Sequence, residues 1–178
     1  MRMVKKITNS QLEKNNEQFS VGQEVFLSGV VYTMRDQAHK RLCDALKKRK
    51  TIPLDLRGKI IYYCGPTKTP PGKVIGSCGP TTSSRMDLFT PLLLKHGVKG
   101  VIGKGERSRE VIDALRRYKA VYFLAPAGCG ALLAKKVTKV MTVAYADLGP
   151  EAIRKIEVNN FPLIVAVDTR GRSIYDAK

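Results

Sequence analysis

Between residues 98 and 169 the chain alternates β-branched runs with segments of helical periodicity, and this alternation is what most constrains its fold. VKGVIGK, SREVIDALRRY, AVYFLAP, CGALLAKKV, KVMTVAYA, PEAIRKIEV and PLIVAVDT follow one another in that order. Strands that alternate with helices pack as layers around a largely parallel inner sheet, which predicts an α/β fold. Ser108 suits the N-cap of the helix that carries Glu110, and Pro150 suits the first position of a helix beginning at Glu151. Upstream, EVFLSGVVYT at 24–33 reads as a strand. Residues 36–48 then have helical spacing, with Ala38, Leu42, Ala45 and Leu46 on one face. Residues 1–21 are polar and weakly patterned, so they are expected to form an arm without a core, and residues 22–178 to form one domain.

Two copies of one pattern, GKIIYYCGP at 58–66 and GKVIGSCGP at 72–80, flank the turn-rich TKTPPG and read as two neighbouring strands. Further on, Pro91 costs about 3 kcal/mol inside a helix, so SSRMDLFTPLLLKHG either breaks at Thr90 or kinks.

With 32 Lys and Arg against 15 Asp and Glu, the net charge is +17, which implies an anionic partner or ligand. No stretch approaches the roughly 20 apolar residues of a membrane span, and MRMVKKITNSQLEKNN is too polar for a secretory signal, so the expected location is cytoplasmic. Cys43, Cys64, Cys78 and Cys129 form no CxxC pair, so the chain itself offers no evident metal site.

The densest chemistry is GPTTSSRMD at 79–87, where four hydroxyls follow a Gly-Pro turn at a helix entry. Free backbone N–H groups there can receive a carboxylate or phosphate, and the Arg85 fork can hold a carboxylate by two parallel hydrogen bonds. The same residues also fit a helix capped by Thr81 or Thr82 with a solvated Arg85. Lys104, between Gly103 and Gly105 where a strand ends, can present a point charge or simply occupy a turn. AGCGALLA at 127–134 fits close helix packing. Arg35 and His39 are one helical turn apart and could together face a dianion, unless His39 is a packing residue. Asp36 and Lys40 read as a surface pair.

GSCGPTTSSRMD, preceded by MRDQAHKRL and followed by GVIGKGERS, resembles the β subunit of two-subunit class I fumarases and L(+)-tartrate dehydratases. The same unit forms the C-terminal domain of single-chain class I fumarases. The resemblance implies a swivelling β/β/α three-layer domain with a mostly parallel inner sheet. It also implies an iron-sulfur hydro-lyase that interconverts fumarate and L-malate, or dehydrates L(+)-tartrate. In that family a larger α subunit ligates the [4Fe-4S] cluster, and the dicarboxylate lies between the subunits in a higher assembly of α and β chains. Carried across, Arg35, Thr81, Thr82, Arg85 and Lys104 are the substrate-binding residues, and Thr81 is the candidate base. Beside these motif residues, His39, Ser83 and Asp87 are candidate supporting residues.

A different class, a basic nucleic-acid-binding module, rests on net charge alone. With 7% aromatics, no tryptophan and dispersed Lys and Arg, the chain lacks the stacking platforms such modules use. The substrate site accounts for few of the 17 net positive charges. An acidic α subunit, or a salt-rich or hot cytosol, could account for the others.

Overall fold

The computed structural model describes residues 5–176. Seven strands, β1 (Lys5–Thr8), β2 (Glu24–Thr33), β3 (Ile60–Tyr62), β4 (Gly100–Gly103), β5 (Val121–Leu124), β6 (Val137–Ala144) and β7 (Ile153–Val167), form one mixed sheet. Its order is β1-β2-β3-β4-β5-β7-β6, and a further β2–β7 pairing closes β2, β3, β4, β5 and β7 into a five-stranded barrel. β1 through β5 are parallel neighbours. β7 runs antiparallel to β2, β5 and β6. The parallel part is therefore the wall β1–β5, and one long antiparallel strand closes it.

Period-two alternation on the barrel strands feeds two cores. Ile60, Tyr62, Ile102, Val121 and Phe123 pack into one cluster with Val25, Leu27, Phe161 and Val165. Their neighbours Ile61, Tyr63, Val101 and Tyr122 point the other way, and pack against Ala38 and Leu42 of α2 (Asp36–Lys47), Leu93 of α3 (Thr90–Lys95), and Val111 and Leu115 of α4 (Arg109–Tyr118). A short α1 (Asn9–Lys14) follows β1, and α5 (Gly130–Ala134) follows β5.

The expected β2, α2 and α4 form, and Ser108 caps α4 by accepting from the Val111 N–H. Pro91 lies in the first turn of α3, after a separate 3₁₀ turn at Ser83–Met86, so the chain restarts a helix rather than kinking one.

Three expectations are corrected. A core does begin before residue 22: β1 pairs with β2, and Ile7, Leu12 and Phe19 are buried in the barrel cluster. Residues following Pro150 form no helix; Ala146–Glu151 is a 3₁₀ segment, and Ile153 opens β7. The second GK..CGP copy is not a strand. Its Tyr62 and Tyr63 counterparts are Gly76 and Ser77, poor strand formers, and the chain turns back so that the Thr67 N–H donates to the Ser77 carbonyl at 3.0 Å.

Candidate functional site

The C-terminal ends of β2, β3 and β4 lie level, with Thr33 opposite Tyr62 and Tyr62 opposite Ile102. The carboxyl edge of parallel strands is where α/β proteins characteristically place ligands, and here the next loops carry Arg35, Thr81 and Lys104. The Thr81 N–H donates to the Tyr63 carbonyl at 2.7 Å. Thr82 bridges to Lys104, and the Ser83 N–H donates to the Lys104 carbonyl at 3.0 Å.

Ser83 locks this junction from beneath. Its buried Oγ accepts from the Lys104 N–H at 3.0 Å and lies 2.9 Å from the Tyr122 hydroxyl, which is itself 2.8 Å from the Gly105 carbonyl. Gly103 permits that approach, because a Cβ there would overlap Ser83 Oγ. Of the four hydroxyls after Pro80, Ser83 therefore turns inward, Thr82 and Ser84 are exposed, and Thr81 is half-buried. No side chain caps the 3₁₀ turn.

Arg85, with a half-exposed side chain, donates from Nε to Asp36 Oδ1 at 2.9 Å. Arg35 Nε lies 3.7 Å from Asp36 Oδ2, and Arg35 Nη2 lies 3.9 Å from Glu151 Oε1. Glu151 also accepts from the Gln37 N–H at 2.7 Å, which ties the segment before β7 to the start of α2. Asp36 thus joins the two arginines, in place of the expected pair with Lys40. Neither Asp36 nor Glu151 was marked by the sequence motifs as part of this group.

Arg35 and His39 do not share an open face. Arg35 is the N-cap of α2, and His39 is fully buried, with Nδ1 2.8 Å from the Arg35 carbonyl. A carbonyl only accepts, so Nδ1 carries the proton. Burial lowers the imidazole pKa to about 4, which keeps the ring neutral at neutral pH. His39 therefore supports the Arg35 backbone and is not placed to meet an anion.

Asp87 also faces inward, accepting from Arg107 Nε at 2.8 Å and from the Ser108 N–H at 2.7 Å. The buried Arg107 guanidinium lies over Tyr63 and Tyr122, 5.2 and 4.9 Å from their ring centroids, and donates from Nη2 to Thr90 Oγ1 at 2.9 Å. No sequence signal marks this role, since an arginine in GKGERS looks like any solvated loop charge.

Three cationic residues, Arg35, Arg85 and Lys104, thus stand on segments that meet at this edge beside Thr81 and Thr82, with Asp36 and Glu151 offsetting part of the arginine charge. Guanidinium forks, an ammonium and hydroxyls in this combination suit an anionic ligand. It is an edge open to solvent: Thr82 and Arg85 are exposed, and Arg35, Thr81 and Lys104 are half-buried. Among the described residues, no three of His, Cys, Asp and Glu are grouped to hold a metal ion. Cys64 and Cys78 are buried with sulfurs 3.3 Å apart, Cys43 is buried elsewhere, and Cys129 is half-exposed. These thiols do not fit the ligand set of an iron-sulfur cluster.

The family profile described as Fumarase C-terminus matches residues 2–178. A Methanocaldococcus jannaschii protein provisionally named L(+)-tartrate dehydratase subunit beta is 42% identical over 174 residues, covering 94% of this chain and 89% of that protein. The L(+)-tartrate dehydratase subunit beta of Escherichia coli K12 is 36% identical over 177 residues, 96% of this chain and 87% of its own length. The anaerobic class I fumarate hydratase of the same strain is 39% identical over 160 residues, 89% of this chain but 29% of its own length. The chain thus spans less than a third of that fumarate hydratase and most of the length of the two β subunits. Matched along almost its whole length, with its motifs gathered at one sheet edge, the chain belongs to the Fumarase C-terminus family.

Proposed function

We propose that this chain is the β subunit of a hydro-lyase that interconverts fumarate and L-malate by reversible addition of water. Its site is shared with an α subunit that carries a [4Fe-4S] cluster. The observation that carries the reading is the convergence of Arg35, Arg85 and Lys104 with Thr81 and Thr82 on one open edge, in a chain of this family. Arg85 spends Nε on Asp36, which leaves its Nη pair to grip a carboxylate end-on. Lys104, fixed through its backbone by Ser83, offers a point charge to the second carboxylate. Thr81 and Thr82 supply hydroxyls to the remaining acceptors, and Thr81 is the candidate to move the proton when a neighbouring cation lowers its pKa. The cluster belongs to the partner in this proposal, and this chain contributes the cations and hydroxyls that hold the dicarboxylate.

The finer architecture belongs to the same proposal. A closed sheet with one core inside and a helix layer against its outer face is compatible with the three-layer swivelling β/β/α domain. Free thiols suit a reducing cytoplasm, and no helix among the described residues is long and apolar enough to cross a membrane.

A second reading, dehydration of L(+)-tartrate, is favoured by the tartrate dehydratase β subunits, which are 42% and 36% identical and cover 94% and 96% of this chain. Co-expression with the α subunit, anaerobic reconstitution and comparison of kcat/KM for fumarate, L-malate and L(+)-tartrate decides between them. Preference for fumarate and malate supports the first reading, and preference for tartrate the second. A reconstituted complex inert toward all three overturns both.

A further inference from the structure

Arg35 and Arg85 both carry positive charge and reach the same edge from different elements, one from the end of β2 and one from the 3₁₀ turn. Like charges converging on one edge repel unless something lies between them. Asp36 does, with one oxygen 2.9 Å from Arg85 Nε and the other 3.7 Å from Arg35 Nε. The second contact is too long for a hydrogen bond, and both of its atoms, Arg35 Nε and Asp36 Oδ2, are shielded from solvent without a hydrogen-bond partner. The Asp36 side chain is 22% exposed, whereas that of Arg85 is 51% exposed and free to sample many rotamers without this anchor.

We propose that Asp36 is a positioning residue for dicarboxylate binding, holding Arg85 by Nε so that its Nη pair faces the substrate, and spacing Arg35 from it. This rests on the functional reading above. Asp36 touches neither substrate nor reacting atoms; it acts through Arg85. Its loss therefore weakens substrate binding more than turnover. An N-terminal helix acid with only a structural role would change thermal stability and leave KM alone.

The test uses the reconstituted α–β complex with its preferred dicarboxylate. Asp36→Ala is expected to raise KM about 5- to 20-fold with kcat changed less than about threefold, as for loss of a charge-assisted hydrogen bond. Asp36→Asn keeps an acceptor for Arg85 Nε and should recover to within roughly threefold of wild type. In an Arg85→Ala background, Asp36→Ala should add less than about twofold, because the two act as one unit. Lys40→Ala, on the exposed side of α2, is the control and should change neither constant. An unchanged or lowered KM in Asp36→Ala, or an undiminished effect of it without Arg85, overturns the proposal. A wild-type complex that turns over no dicarboxylate removes the functional reading and this proposal with it. An Arg85→Ala complex with normal KM removes Arg85 from the site, and the role of Asp36 goes too.

Discussion

Arg107, its guanidinium shielded from solvent, donates from Nε to Asp87 Oδ1 at 2.8 Å, and this pair pins the turn bearing Arg85 to the loop bearing Lys104. The other Asp87 oxygen takes the Ser108 N–H at 2.7 Å, so a single carboxylate fixes both the start of α4 and the end of the 3₁₀ turn.

Removing that carboxylate leaves a buried, unpaired guanidinium, a change that costs about 3–5 kcal/mol. Asp87→Ala is therefore expected to lower the thermal midpoint of the chain by roughly 6–20 °C, at about 2–4 °C per kcal/mol for a domain of this size. Differential scanning calorimetry reads the shift. A midpoint within about 2 °C of wild type would show that Arg107 finds another partner.

Thr81 separates two chemical roles. If its hydroxyl only donates to a substrate carboxylate, Thr81→Ser keeps most activity and Thr81→Ala mainly raises KM. If it moves the proton, Thr81→Ala lowers kcat by roughly 10²–10⁴ while substrate still binds. The second pattern is expected, and steady-state constants for both variants, with Thr82→Ala beside them, distinguish the two. An unchanged kcat in Thr81→Ala assigns the proton chemistry to the α subunit.

His39 makes stability depend on acid. Its folded pKa is lowered, chiefly by burial, from 6.5 to about 4. Between those values the unfolded chain binds a proton that the native chain refuses, so stability falls as pH drops through this window and is retained above it. At 1.36 kcal/mol per pKa unit the loss approaches about 3 kcal/mol at pH 4. Thermal melts from pH 7 to 4 should show His39→Gln losing less stability than wild type over that range. Parallel curves would mean that His39 is protonated without penalty.

What the sequence made legible were the elements with one clear period. Ala38 and Leu42 marked the buried face of α2, although Cys43, not Ala45, completes it. The site motifs were legible too, because their residue types are unusual together. The failures have physical causes. Ile153 and Ile156 are spaced like a helix face, yet β7 is covered on both sides, and Ile153 packs toward the helices while Ile156 packs inside the barrel. The N-terminal segment contributes Ile7, Leu12 and Phe19 at wide, irregular intervals, too sparse for any period to register. Barrel closure depends on one long strand pairing with both β2 and β5, a long-range relation that no local pattern carries. The carboxylates Asp36 and Glu151 were missed because their partners come from distant segments.

The central claim is that this chain supplies substrate-binding residues to a shared site, and Arg85→Lys in the reconstituted complex tests it most directly. Replacing a planar fork with a point charge should lower kcat/KM by on the order of 1.5–3 kcal/mol, about 10- to 150-fold, with assembly and cluster content unchanged. Wild-type α subunit alone and this chain alone should each be inactive. A loss below threefold in Arg85→Lys, or full turnover by the α subunit without this chain, would contradict the claim.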